Sequence, residues 1–242
     1  MHNRDTRKPL SVPTIAPSAR CVMPRWAGFA THLSCSPMDS DNTFDVLFLG
    51  TGVSTAIPII GHVLQNSCKV CADAQSNPLS KNRRNNVSIA LVFGKDRDGA
   101  GASKKKTILI DVGKTMRDAV LNWLPKHGVS NIDGVVLTHG HADAIFGMDD
   151  LRDLQSFEKQ SIKGEIGFKV ITGAIPIWLN QDTFKVVDKC FGYLTQKPDF
   201  LDEKQQILKR RVAFLDFQVI QSDALLNICG LLGELSYIRI HL

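Results

Sequence analysis

The chain has 242 residues, 43% of them hydrophobic, and a formal net charge of +5. That length holds one large domain or two small ones, and no apolar run nears the ~20 residues of a spanning helix, which excludes an integral helical membrane protein. Residues 1–37 set Arg4, Arg7, Lys8, Arg20 and Arg25 against Asp5 alone, which is +4 of the +5; the nearly balanced remainder lacks the basic face of a duplex binder, so nucleic acid is not the expected partner.

Residues 1–42 show no hydrophobic period and are rich in Ser, Pro, Thr and Arg. They read as a chloroplast or mitochondrial transit segment. The alternative is an untargeted disordered tail, or sequence upstream of a start at Met38; without targeting the expected compartment is the cytoplasm. Six cysteines occur, at 21, 35, 68, 71, 190 and 229. With no secretory signal in front of them, a reducing compartment and mostly free thiols are expected.

Order begins at Phe44. Phe44-Asp45-Val46-Leu47-Phe48-Leu49 reads as a strand, apolar enough to be central, and Gly50-Thr51-Gly52-Val53-Ser54 breaks it. Residues 61–86 have no clear period and read as a long ordered loop, of a length usually functional or held by something. Val87–Phe93 is a second strand, 94–106 a polar hairpin loop, and Thr107–Asp111 a third strand. Met116, Ala119, Val120, Trp123 and Leu124 form the stripe of an amphipathic helix ended by Pro125 and Gly128. Val135-Val136-Leu137 is a fourth strand and leads directly into His139. Met148, Leu151 and Leu154 mark another helix with Asp149 and Asp150 in its first turn. Phe168–Ile171 is a fifth strand, Phe184, Val187 and Phe191 a further helix, and 212–220 a strand pair. Strands first, then strand and helix alternating, give an α/β layered domain.

The chemistry concentrates in Thr138-His139-Gly140-His141-Ala142-Asp143. In a loop leaving a strand, side chains at i and i+2 can turn to one centre. Two imidazoles and a carboxylate suit a hydrolytic Zn²⁺, Mn²⁺ or Fe²⁺, which lowers the pKa of bound water and polarises a scissile bond. A lone H-x-H would as well be two exposed loop histidines; the apolar strand before it, and Asp143, Gly147 and an acidic helix start after it, favour the metal. Cys68 and Cys71 form a C-x-x-C, open to a structural zinc with His62 as third ligand, to a redox pair, or to plain loop cysteines. Arg83 and Arg84 offer planar forks for a phosphate, or a solvated basic loop. Asp111 is either a carboxylate that orients a metal ligand or a strand-end cap. Gly50-Thr51-Gly52 lacks the third glycine of a dinucleotide fingerprint, so a Rossmann reading is rejected.

Leu49-Gly50-Thr51-Gly52, the Cys68/Cys71 pair, Asn82-Arg83-Arg84-Asn85-Asn86-Val87-Ser88, Ile108-Leu109-Ile110-Asp111-Val112-Gly113, the histidine loop and Gly147-Met148-Asp149-Asp150-Leu151-Arg152 occur in that order. As an ordered set, they resemble the phosphoribosyl cyclic phosphodiesterase-like branch of the metallo-β-lactamase superfamily, known from phosphonate breakdown, in a eukaryote-type form. The resemblance covers about 44–223. It implies the αββα sandwich of that superfamily, here its first half plus part of the second. The domains expected are a leading segment 1–42, an incomplete metallo-β-lactamase-like domain 43–223 and a divergent tail 224–242.

The resemblance also implies roles. His139 and His141 match the ligands of a first metal, Zn²⁺ or Mn²⁺. Asp143 matches a ligand of a second, and Asp143 and Asp111 are the candidate catalytic carboxylates. Cys68 and Cys71 match a structural zinc site. Arg83 and Arg84 would meet the substrate, a small cyclic or ribose phosphodiester attacked by metal-bound hydroxide. Ala144 stands where the family loop has a third histidine, which weakens the second metal position. The family's later ligands have no counterpart, since His241 is the sole histidine after Asp143. This chain is therefore expected to be a shortened form and a poor enzyme alone. The rival readings are a tRNA-processing-type nuclease and a non-catalytic isoform that only binds.

Overall fold

The computed structural model describes residues 44–93, 106–221, 225–227 and 237–239. All lie in one compact unit, Met38–Leu242; a second unit, Met1–Pro37, falls outside the described residues, as do the expected leader, the hairpin loop 94–105 and most of the tail. No described helix is long and apolar enough to cross a membrane.

The chain starts with β1 (Phe44–Gly50) and passes through two short helices, α1 (Ile60–Leu64) and α2 (Lys69–Ser76). It then forms β2 (Ser88–Phe93), β3 (Lys106–Ile110), α3 (Met116–Trp123) and β4 (Gly134–Val136). A single helical turn, α4 (Ala142–Ile145), and a 3-10 helix over Met148–Leu154 follow. Next come β5 (Phe157–Ile162), β6 (Glu165–Val170), β7 (Ile175–Leu179), α5 (Gln181–Cys190) and α6 (Gly192–Thr195). The remaining strands are β8 (Phe200–Asp202), β9 (Ile207–Leu208), β10 (Leu215–Val219), β11 (Leu225–Asn227) and β12 (Tyr237–Arg239).

Six strands form the main sheet in the order β1-β2-β3-β4-β7-β10. β1, β2 and β3 are an antiparallel meander. From β3 onward the pairs are parallel, as chain returning through crossovers requires. Alternation along the strands separates two faces. Ala90, Val92, Leu109, Val135, Ile177 and Leu179 pack on one side with Met116 and Ala119 of α3 and Val187 of α5. Leu91, Ile108, Val136 and Trp178 cluster on the other. β5-β6-β9-β8 form a separate four-stranded sheet, and β11 pairs with β12. The mixed α/β architecture agrees with the class read from the sequence.

Several local expectations need correction. β1 is an edge strand, not a central one, and leaves Phe48 67% exposed; an apolar run reports how much a strand could bury but not where it pairs. Residues 61–86 hold α1 and α2 rather than a bare loop. The helix expected at 114–126 shortens to α3, followed by a 3-10 turn, and Gly128 ends it in the left-handed region at φ 68°, where glycine meets no Cβ penalty. Residues 212–220 give one strand, not two.

Candidate metal centre

The site is assembled from three loops that meet beyond the ends of the main-sheet strands. The histidine loop leaves β4, and the Leu137 N–H still bonds the Trp178 carbonyl at 2.9 Å, so its first residue remains fixed to the sheet. The Thr138 N–H then turns to Asp111 Oδ1 at 2.8 Å. The loop closes into α4, where the Ala144 and Ile145 N–H groups bond the His141 carbonyl. Across from it, Val112 donates to the Ala144 carbonyl and Gly147 donates to the Val112 carbonyl, both at 2.7 Å. The two backbones are so close that a Cβ on Gly113 would lie 1.9 Å from the Asp143 carbonyl oxygen. Only glycine fits there. From α5, Val186 covers Gly140.

This framework gathers one ligand atom each from His139, His141 and Asp143 within 4.8 Å of one another. The two imidazoles sit edge to face, with centroids 4.8 Å apart at 87°. His139 Nε2 lies 3.7 Å from Asp143 Oδ1. Asp143 and His139 are half-buried and His141 is exposed, so the cluster opens to solvent on one side. Two nitrogens and a carboxylate at this separation fit a divalent cation that keeps positions open for water or substrate.

The carboxylates differ in environment. The Ser54 hydroxyl donates to Asp143 and holds its carboxyl below the usual range, against burial and with help from its own backbone N–H, His139 and His141. The ionised, ligating form of Asp143 is thereby favoured further. Burial pushes Asp111 up, while the two hydrogen bonds from Thr138 pull it back. Asp111 is outside the ligand cluster and stands behind it. It adopts φ 60°, a conformation costly for a residue with a Cβ. Its carboxylate is gripped from one side by Thr138, N–H to Oδ1 and hydroxyl to Oδ2 at 2.7 Å.

Ser54 was not singled out for a role in the sequence, and neither was the residue that places it. Asn86 is buried, and its amide donates to the Val53 and Ser54 carbonyls at 3.0 Å each. Its backbone N–H bonds Thr115 Oγ1 at 2.8 Å. Ser88 Oγ donates to the Asp111 carbonyl at 2.9 Å. The Asn-Asn-Val-Ser stretch at 85–88 is thus scaffolding that ties the 50–54 turn and the 111–115 turn to one another. A signal for this existed in its run of small polar residues before an apolar strand, but its partners lie too far along the chain to be read off.

A second group stands apart. Cys68, Cys71 and His62 also offer ligand atoms within 4.8 Å. Cys71 Sγ lies 3.5 Å from His62 Nδ1 and accepts from the Ile59 N–H at 3.5 Å. Cys68 is the N-cap of α2, and the Cys71 N–H bonds its thiol and draws its pKa down, which favours the thiolate that zinc binds. Arg83 and Arg84 are not brought into either cluster. Arg83 donates to the Ala74 carbonyl at 2.8 Å and ties its loop to α2, and Arg84 donates to the carbonyls of Lys81 and Arg83 and braces the loop itself.

Residues 106–210 match the family described as a beta-lactamase superfamily domain. An octanoyltransferase of Porphyromonas gingivalis (strain ATCC BAA-308 / W83) is 32% identical over 108 residues, which are 45% of this chain and 18% of that protein. Among solved structures, the chain is similar to a diphosphatase from the PhnP family, with 23% identity, 78% of this chain and 54% of that one covered, and a TM-score of 0.49. It is similar also to Zn²⁺-bound PqqB from Methylobacterium extorquens, with 15% identity, 76% and 48% covered, and a TM-score of 0.45. Human tRNase Z, short form, gives 16% identity, 64% and 40% covered, and a TM-score of 0.31. The chain spans about half the length of the first two of these structures.

Proposed function

We propose that this chain is a metallo-β-lactamase-fold, metal-dependent hydrolase whose substrate is a phosphodiester, a small cyclic or ribose phosphate; its match to the beta-lactamase superfamily domain over residues 106–210 supports the fold. The observation that carries this reading is the convergence of His139, His141 and Asp143 within 4.8 Å beside a solvent-open face. These three residues would hold a divalent cation, zinc or manganese. Such an ion would supply a water of lowered pKa and polarise the phosphoryl oxygen. The protein's own part is to fix the donors. Ser54 donates to Asp143 and favours its charged form, Asp111 and Thr138 hold the first histidine, and Gly113 lets the loop seat. His62, Cys68 and Cys71 would hold a separate structural zinc that pins the segment between β1 and β2.

The test is metal content and turnover of bis-p-nitrophenyl phosphate by the full chain with added Mn²⁺ or Zn²⁺. Turnover is expected to need metal and to vanish in His139→Ala, while Cys68→Ser/Cys71→Ser should lose about one equivalent of zinc and keep metal at the histidines. Metal bound at the histidines without turnover would favour the rival reading, a protein that binds but does not hydrolyse. No metal at the histidines would sink both.

A further inference from the structure

The side chain that sets His139 is its neighbour in the chain. Thr138 Oγ1 lies 2.9 Å from His139 Nδ1 and 2.7 Å from Asp111 Oδ2. A hydroxyl has one proton to give and lone pairs to receive with. The other oxygen of the same carboxylate, Oδ1, accepts the Thr138 backbone N–H at 2.8 Å, so Asp111 faces Thr138 with acceptors only. The hydroxyl proton goes to Oδ2. What Thr138 turns toward the imidazole is then a lone pair, which calls for a proton on Nδ1. The remaining nitrogen, Nε2, is left bare, and it is the one that faces Asp143 Oδ1 at 3.7 Å inside the ligand cluster.

We propose that Thr138 is a positioning residue, a hydroxyl relay through which the buried Asp111 carboxylate locks His139 in the Nδ1–H tautomer and so presents Nε2 as a ready metal ligand. The left-handed backbone at Asp111, φ 60°, serves this arrangement. It turns both carboxylate oxygens onto one residue, and that conformation is retained only where surroundings over-determine it. Here they do, because the Asp111 N–H bonds the Val136 carbonyl at 2.9 Å and its carbonyl accepts from Ser88. Groups placed behind a ligating histidine commonly matter roughly 10–100-fold to metal affinity. The direction of the proton chain makes the relay separable from simple packing. It rests on the reading of His139 as a metal ligand, but its first consequence concerns metal-free protein.

The experiment uses the full chain with ¹⁵N-labelled histidine, metal-free, at a pH of about 8, above the ordinary histidine range. Long-range ¹H–¹⁵N spectra report the tautomer, and His139→Ala assigns the resonance among the seven histidines. The wild-type protein should show His139 with Nδ1 protonated. Thr138→Val keeps the shape and removes the relay, and should give a tautomer mixture; Thr138→Ser should restore the wild-type pattern. Asp111→Asn gives the sharper reversal. Its amide NH₂ would donate to Thr138 Oγ1, the hydroxyl would then donate to Nδ1, and the proton of His139 would move to Nε2. In Co²⁺ titrations, read from the absorption of the nitrogen–oxygen site rather than the thiolate bands, Thr138→Val and Asp111→Asn should bind roughly 10–100-fold more weakly, and Thr138→Ser within about threefold of wild type. An unchanged His139 tautomer in both Thr138→Val and Asp111→Asn overturns the relay, whatever the metal does. If wild-type protein shows the Nδ1–H form yet binds no Co²⁺ at the histidines, the relay stands and the metal reading fails.

Discussion

Gly113 shows how one residue without a side chain shapes the centre. The Asp143 carbonyl occupies the space a Cβ would take at 1.9 Å, and that neighbour is backbone, which has nowhere cheap to go. Gly113→Ala is expected to displace the histidine loop, cost about 2–4 kcal/mol by overpacking and abolish Co²⁺ binding at His139 and His141. Gly61→Ala in α1 is the control, since a Cβ there meets nothing within 4 Å, and it should be neutral or slightly stabilising. Urea unfolding and Co²⁺ absorption check both; a Gly113→Ala protein with unchanged midpoint and metal spectrum would show that the loop does not depend on this close approach. The spacing of His139, His141 and Asp143 was legible in the sequence because it is local, two residues apart on a chain leaving a strand. The contributions of Ser54, Asn86 and the Thr138 hydroxyl were not. Each depends on a contact between segments that come together only when the sheet forms.

At the scale of elements, long periodic stretches were legible and short or interrupted ones were not. α5 reads clearly, and Asn180 caps it by accepting from the Thr183 N–H at 2.8 Å. β7 went unread because Pro176 lies inside it, and proline argues against a central strand. The sheet tolerates it for a geometric reason. Ile175 donates to Phe214 on the β10 side, so the absent donor of Pro176 falls on the β4 side, where the register begins only at Ile177. Nothing is there to be left unpaired. The helix marked by Met148, Leu151 and Leu154 is a 3-10 helix over Met148–Leu154, whereas α6 is too short to carry a period, and a side-chain contact joins the two. Tyr193 Oη donates to Asp149 Oδ1 at 2.9 Å, beside edge-to-face rings of Phe191 and Phe146.

That contact has a signature in pH. Partial burial, then the hydrogen bond and charge of Asp149, push the Tyr193 phenol from 10.0 up to about 12. The fold favours the protonated phenol, so its contribution to stability is present below pH 10 and fades as pH rises from 10.0 toward about 12. Absorbance titration of the phenolate should place Tyr193 near the upper figure, with Tyr193→Phe distinguishing it from Tyr237. Asp149→Asn should bring it down. A Tyr193 that ionises near its ordinary value in the folded chain would mean that the link between α6 and the 3-10 helix is not formed in solution.

Over the whole molecule, the α/β class was legible because strands and helices alternate on a scale that composition and period resolve, whereas the second sheet of β5, β6, β9 and β8 was not. Only part of β6 was read, as the strand at Phe168–Ile171; β5, β6 and β8 are half-exposed and mixed in polarity, without a clean two-residue alternation, and the buried β9 is two residues long. What joins that sheet to the main one is also polar. Gln155, only 5% exposed, stands just before β5. Its amide donates to the Gly173 carbonyl at 2.8 Å and the Phe214 carbonyl at 3.0 Å, and its Oε1 accepts from the Phe214 N–H at 2.8 Å. One side chain thus satisfies the turn between β6 and β7 and the residue leading into β10. Backbone groups left without partners cost up to about 1–3 kcal/mol each, the more so the less water reaches them, and Gly173 and Phe214 are part-buried. The Phe214 carbonyl would keep its bond from Ile175, but the Gly173 carbonyl and the Phe214 N–H would lose the partner the structure gives them. Gln155→Ala should therefore lower stability by about 3 kcal/mol, a large share of the whole for a domain of this kind. Below its midpoint, Co²⁺ affinity at the histidine loop should stay unchanged, because the loop is seated by Gly113 and Asp111 on the other side of β4. Gln205→Ala, at an exposed turn, should stay within about 0.5 kcal/mol of wild type. Denaturant unfolding of both variants decides it: if Gln155→Ala costs no more than Gln205→Ala, the two sheets are held by their apolar contacts alone and this buried amide is not what couples them.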